Sequence, residues 1–66
     1  MNPQAGDIWE YTSGKSFKDV RIRTAVVVVV EEAEWHNAWH CIDLSNGECN
    51  EWLFDEQCAD NWRQLA

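Results

Sequence analysis

The sequence predicts a small all-β domain in which five short strands close into a barrel, with one helical or 3-10 turn before the last strand. Three observations carry this. "DIWEYT" at residues 7–12 alternates its side chains with the period of two that marks a strand. "VRIRTAVVVVVEE" at 20–32 is dense in β-branched residues, whose stiff side chains favour strand over helix. Asn46-Gly47 sits between two apolar runs, and this dipeptide is the strongest short-range hairpin signal because both residues accept positive φ. The 66 residues make one domain, 1–66, with one core; a chain of this size hides only about 60% of the surface it exposes when unfolded.

Residues 3–6 read as a lead-in to the first strand, which sets Ile8 and Glu10 on one face and Trp9 and Tyr11 on the other. "SGKSFKD" at 13–19 is polar and carries Gly14, so it reads as a loop under which Phe17 could tuck. The second strand opens with Val20, Ile22 and Thr24 alternating against Arg21 and Arg23, then loses alternation in five consecutive valines. An unbroken apolar run predicts cover on both faces, as where a long bent strand passes between the two sheets of a small barrel. Left exposed it would promote aggregation, which places it at the centre of the fold. A tight connection around His36-Asn37 leads into the hairpin that turns at Ser45-Asn46-Gly47. Asp55 is the N-cap of the short helical turn, and "NWRQL" at 61–65 is the closing strand.

Apolar residues make up 45% of the chain and aromatics 12%, far from the composition of disorder. Five tryptophans exceed the two or three large rings that a core this small needs, so at least one belongs at the surface. The net charge of −7 argues against non-specific nucleic-acid binding, which depends on cations that displace counterions from phosphates. The charge is unevenly spread: Lys15, Lys18, Arg21 and Arg23 with Asp19 give a local +3 and leave −10 for the rest. That basic patch is either a functional surface or a stretch that answers acidic neighbours. The N-terminus lacks the charged start and apolar core of a secretory signal, and "AVVVVV" is far shorter than a membrane span. A cytoplasmic protein with reduced thiols is the expectation, three cysteines being an odd number for a disulfide framework.

His36, His40, Cys41, Cys49 and Cys58 have the side chains of a structural zinc site but not the paired C-x₂-C spacing, so no metal or other cofactor is expected. Hairpin register tests this further. A two-residue Asn46-Gly47 turn pairs Leu44 with Cys49 and Cys41 with Trp52, putting Cys41 and Cys49 on opposite faces. A three-residue turn brings them to one face, but diagonally offset. Neither favours a disulfide, and buried thiols acting as small apolar groups are expected. The two-residue register also gathers Trp39, Cys41, Trp52 and Phe54 on one face and His40, Ile42, Leu44, Cys49 and Leu53 on the other. The aliphatic side then faces the core. The tryptophans either cover a second face or barrel end, or join Asp43 and Glu48 in an aromatic and acidic surface that holds a partner. Catalysis is not expected: there is no G-x-S-x-G elbow, and Glu31, Glu32 and Glu34 read as a solvated strand end.

"GDIWEYTSG" at 6–14, the valine strand and "FDEQCADNWRQLA" at 54–66 together resemble the small SH3-like barrel proteins common among phage and prophage reading frames. The resemblance implies a five-stranded SH3-like barrel and a small accessory protein of a phage or mobile element; it implies no activity. The Ala-Leu-Tyr-Asp-Tyr type motif of signalling SH3 domains is missing, so their proline-rich specificity is not carried over. The function expected is a non-enzymatic interaction module that binds a host or phage protein through Trp39, Trp52, Asp43 and Glu48. One alternative is an acidic inhibitor that mimics nucleic acid and blocks a host nucleic-acid enzyme. Another is a single-stranded nucleic-acid binder using the Lys15 to Arg23 segment, which the net charge disfavours. Exposed strand edges leave room for a homodimer.

Overall fold

A computed structural model of the chain describes residues 2–13 and 23–66. Five strands, β1 (Ile8–Ser13), β2 (Arg23–Glu32), β3 (Ala38–Asp43), β4 (Cys49–Leu53) and β5 (Trp62–Gln64), form one antiparallel sheet in the order β4-β3-β2-β1-β5. A 3-10 helix (Glu56–Asn61) precedes β5, and the Asp55 carboxylate caps it by accepting from the Gln57 backbone N–H at 3.1 Å. These are the elements that the alternation, the Asn-Gly turn and the N-cap predict. Phe17 and the loop reading of 13–19 fall, Ser13 apart, outside the described residues.

The inner face of the sheet is read off the registers. Trp9 pairs with Val27 and Tyr11 with Ala25 across β1 and β2, Val29 pairs with Cys41 across β2 and β3, and Tyr11 pairs with Trp62 across β1 and β5. Trp9, Val27, Val29, Cys41, Phe54 and Trp62 form the buried core, with Tyr11, Trp39, Trp52 and Cys58 packed against it. This corrects the expected assignment of faces. The hairpin's aromatic side faces inward, while His40, Ile42, Cys49 and Leu53 lie on the other side. A short sheet must fill the space inside its own curl, and tryptophan rings fill it with fewer residues than aliphatic side chains do.

The valine run is also covered less completely than its composition predicts. Val27 and Val29 are fully inside, Val26 and Val28 are half-buried on the outer face, and Val30 is 41% exposed. Val30 is the extra residue of a β-bulge: Val29 pairs with Cys41, but Glu31 pairs with His40 and Glu32 with Trp39. The bulge shifts the side-chain alternation by one, keeping Glu31 on the outer face and bringing Glu32 to the inner-face register at the end of the sheet.

No strand ladder closes the barrel among the described residues; β4 and β5 are the two edges of the sheet. Side chains join them instead. The ring centroids of Trp52 on β4 and Trp62 on β5 are 5.6 Å apart, and those of Tyr11 and Trp52 are 5.5 Å apart. In a flat sheet β4 and β5 would be roughly 19 Å apart, four strand spacings, so the sheet is strongly curled. Phe54 stacks on Trp62 at 4.0 Å, and the Trp62 indole Nε1–H donates to the Leu53 carbonyl at 3.1 Å. The two edges are thus clasped by an aromatic cluster.

Candidate functional site

The structure brings Trp39 and Trp52 together as a cross-strand pair. Both are half-buried and lean on the core, so they contribute to the clasp as well as to any surface. Asp43 lies four residues along β3 from Trp39, about 13 Å in an extended strand, at the mouth of the hairpin turn. Its Oδ1 accepts from the Ser45 backbone N–H at 2.8 Å and from the Ser45 hydroxyl at 2.7 Å. These bonds hold the Asp43 carboxyl below its ordinary pKa, the hydroxyl bond contributing most. Glu48 closes the same turn: its carbonyl accepts from the Asp43 N–H at 2.8 Å and its N–H donates to the Asn46 side chain at 2.8 Å. The two acids therefore organise a turn and do not flank the tryptophans. Lys15, Lys18 and Arg21 lie outside the described residues, and Arg23 opens β2.

The turn has neither the two-residue nor the three-residue register that the sequence suggests. Ile42 pairs with Cys49, Gly47 alone takes positive φ (+74°) within the turn, and its N–H donates to the Asp43 carbonyl at 2.8 Å. Four residues, 44–47, thus form the loop. This register is offset by two residues from the two-residue turn, which preserves every face. Cys41 and Cys49 accordingly lie on opposite faces of the sheet, and all three cysteines are free. Burial pushes the Cys41 thiol up to about 12. No group of three or more metal-ligating side chains converges among the described residues.

The concave site lies at the other end of the sheet. The connection from β2 to β3 is pinned by Ala33 N–H to Ala38 O at 2.9 Å, Ala38 N–H to Trp35 O at 3.1 Å and Phe54 N–H to Asn37 O at 2.7 Å. Asn37 has a φ of +62°, a left-handed conformation that asparagine tolerates and that lets the chain reverse. This loop and the lead-in around Pro3 enclose a cleft of about 460 Å³. Buried Pro3, Ala38 and Phe54 form part of its lining, with Trp39, Trp35, Glu32 and Glu34. The lead-in is fixed as well: Gln4 N–H donates to Asp7 Oδ2 at 2.9 Å, and Gly6 N–H, at a φ of +93°, donates to the Val29 carbonyl at 2.8 Å.

Trp35 is 73% exposed beside this cleft. The number of tryptophans announces a spare ring, and Trp35 is that ring; neighbouring sequence alone does not single it out. Glu31, Glu32 and Glu34 are exposed, as expected of a strand end, yet two of the three line the cleft.

A second surface feature crosses the outer face. Ile8 pairs with Val28, Val28 with Ile42 and Ile42 with Cys49, and the Leu65 N–H bonds to the Ile8 carbonyl at 2.8 Å. The row is apolar from one edge of the sheet to the other, bordered by the Arg63–Glu10 ion pair at 3.0 Å. No helix among the described residues is long and apolar enough to cross a membrane. Compared with family models, with curated proteins and with solved structures, the chain matches none.

Proposed function

We propose that this chain is a non-enzymatic interaction module that holds a partner protein in the cleft beside Trp35. The observation that carries the reading is a tryptophan 73% exposed on a hydrogen-bonded loop, next to a concavity lined by Trp39 and Phe54. An exposed aromatic anchor beside a concavity whose lining mixes aromatic and apolar groups with polar and acidic ones suits a binding surface, since interfaces centre on such anchors with polar groups around them. A tryptophan buries about 200 Å² when covered, so the exposed part of this ring represents roughly 3–4 kcal/mol of hydrophobic burial still to be gained. The pinned loop keeps the entropy of ordering small, which favours a binding surface.

The aromatic and acidic character expected of the site is retained, on different residues: Trp35, Trp39, Glu32 and Glu34 take the place of Trp39, Trp52, Asp43 and Glu48. The phage-type resemblance makes a bacterial lysate the medium to search. Tagged parent and Trp35→Ala protein, both shown to be folded by near-UV circular dichroism, are used to capture binders for mass spectrometry. At least one protein should be retained by the parent and lost by the variant. An identical set of retained proteins with both would overturn the assignment of the site.

A further inference from the structure

We infer that the cleft takes a cationic side chain, a lysine or arginine of the partner protein, seated against the Trp35 ring beside Glu32 and Glu34. This rests on the reading of the cleft as the partner site and adds the chemistry of what enters it. The first support is the lining itself. Its formally charged side chains are Glu32 and Glu34, and no lysine or arginine borders it among the described residues. The ion pair found among the described residues, Arg63–Glu10, lies elsewhere and occupies neither carboxylate. The second is Trp35, since tryptophan presents the best aromatic face for a cation and this one is open to approach. The third is the apolar part of the lining, Pro3, Ala38 and Phe54, which suits the methylene stem of a long basic side chain while its charged head stays near the carboxylates. The fourth is long-range: a chain of net charge −7 attracts basic segments and repels phosphate backbones. Together these favour a basic peptide over a nucleic acid.

The probe is a short peptide of alternating lysine and glycine, titrated into uniformly ¹⁵N-labelled protein and followed by proton–nitrogen correlation spectra, in which each tryptophan indole gives its own signal. The controls are the same peptide with norleucine at each lysine, and a single-stranded oligothymidine. The expected result is movement of the Trp35 and Trp39 indole signals by the lysine peptide, little by norleucine, none by the oligonucleotide, and weakening with added salt. Trp35→Ala should weaken the lysine peptide roughly three- to thirtyfold, the range of a cation–aromatic contact, and Glu32→Gln with Glu34→Gln should weaken it while leaving the norleucine peptide unchanged.

Equal binding of the norleucine peptide at Trp35 would overturn the cationic inference and leave the cleft reading standing. So would a silent titration in which lysate capture still depends on Trp35. Movement of Trp35 by oligothymidine would overturn it in favour of nucleic acid. Binding of the lysine peptide unaffected by Trp35→Ala would overturn it in favour of diffuse attraction to the acidic surface.

Discussion

Replacing Trp62 with phenylalanine tests whether the aromatic clasp holds the two sheet edges together. The indole of Trp62 stacks on Phe54, lies within 6.3 Å centroid distance of Trp9, Tyr11 and Trp52, and donates to the Leu53 carbonyl on the opposite edge. Phenylalanine keeps an aromatic ring in place but removes the donor. The lost hydrogen bond contributes about 1 kcal/mol. The smaller ring leaves unfilled space that costs about another 1 kcal/mol. A domain of this length has roughly 3–10 kcal/mol in total, so a loss of about 2 kcal/mol is a large fraction of it. It should lower the urea midpoint by about 2 M and the melting temperature by about 10 °C. Urea unfolding followed by far-UV circular dichroism measures the first. Trp35→Ala is the control, an exposed ring whose loss should stay within about 0.5 kcal/mol. Equal destabilisation by the two variants, or none by Trp62→Phe, would refute the claim that this cluster and not the backbone ladder closes the sheet.

Gly47→Ala should cost about 1 kcal/mol, because Gly47 sits at a φ of +74° with nothing within 4 Å of an added Cβ, leaving only the backbone penalty; Gly47→Asn should recover part of it in the same urea assay. Cys41 titrates near 12 in the folded protein against 9.0 for an ordinary thiol. Above pH 9 the unfolded chain loses this proton first, so the folded state holds more protons and stability should fall between about pH 9 and 12, a fall that Cys41→Ala should reduce. Ser45→Ala should raise the Asp43 carboxyl toward its ordinary range in a carbon-13 titration, since the Ser45 hydroxyl is the main cause of its depression. The contribution of that carboxylate is present above the ordinary carboxylate pKa and is lost as pH falls through the depressed one.

Strand positions were legible because alternation, β-branching, an Asn-Gly turn and an Asp N-cap act locally. The partition of the hairpin into faces was legible for a related reason. The true register and the simplest one differ by an even number of residues, so Trp39, Cys41 and Trp52 share a face in both. Which face turns inward was not legible, because it depends on how the whole sheet curls, and both faces of the hairpin carry apolar groups. The bulge was hidden too: among five identical valines nothing marks Val30 as the extra residue. The same holds for the site, where composition demands an exposed tryptophan but only the path of the 33–37 loop decides that it is Trp35.

The bulge connects the fold to the site. Were Val30 paired in regular alternation and not bulged, Glu31 would fall on the inner face and Glu32 would turn outward. With the bulge, Glu31 stays outside opposite His40, and Glu32 reaches the inner-face register at the end of β2, opposite Trp39, where the sheet gives way to the cleft. An acidic side chain in the middle of that face would require costly desolvation; at the end it can remain exposed and still border an aromatic wall. A valine-rich strand that packs the core thus delivers a carboxylate to the cleft. The opposing requirements of burial and binding are met by one local change in register.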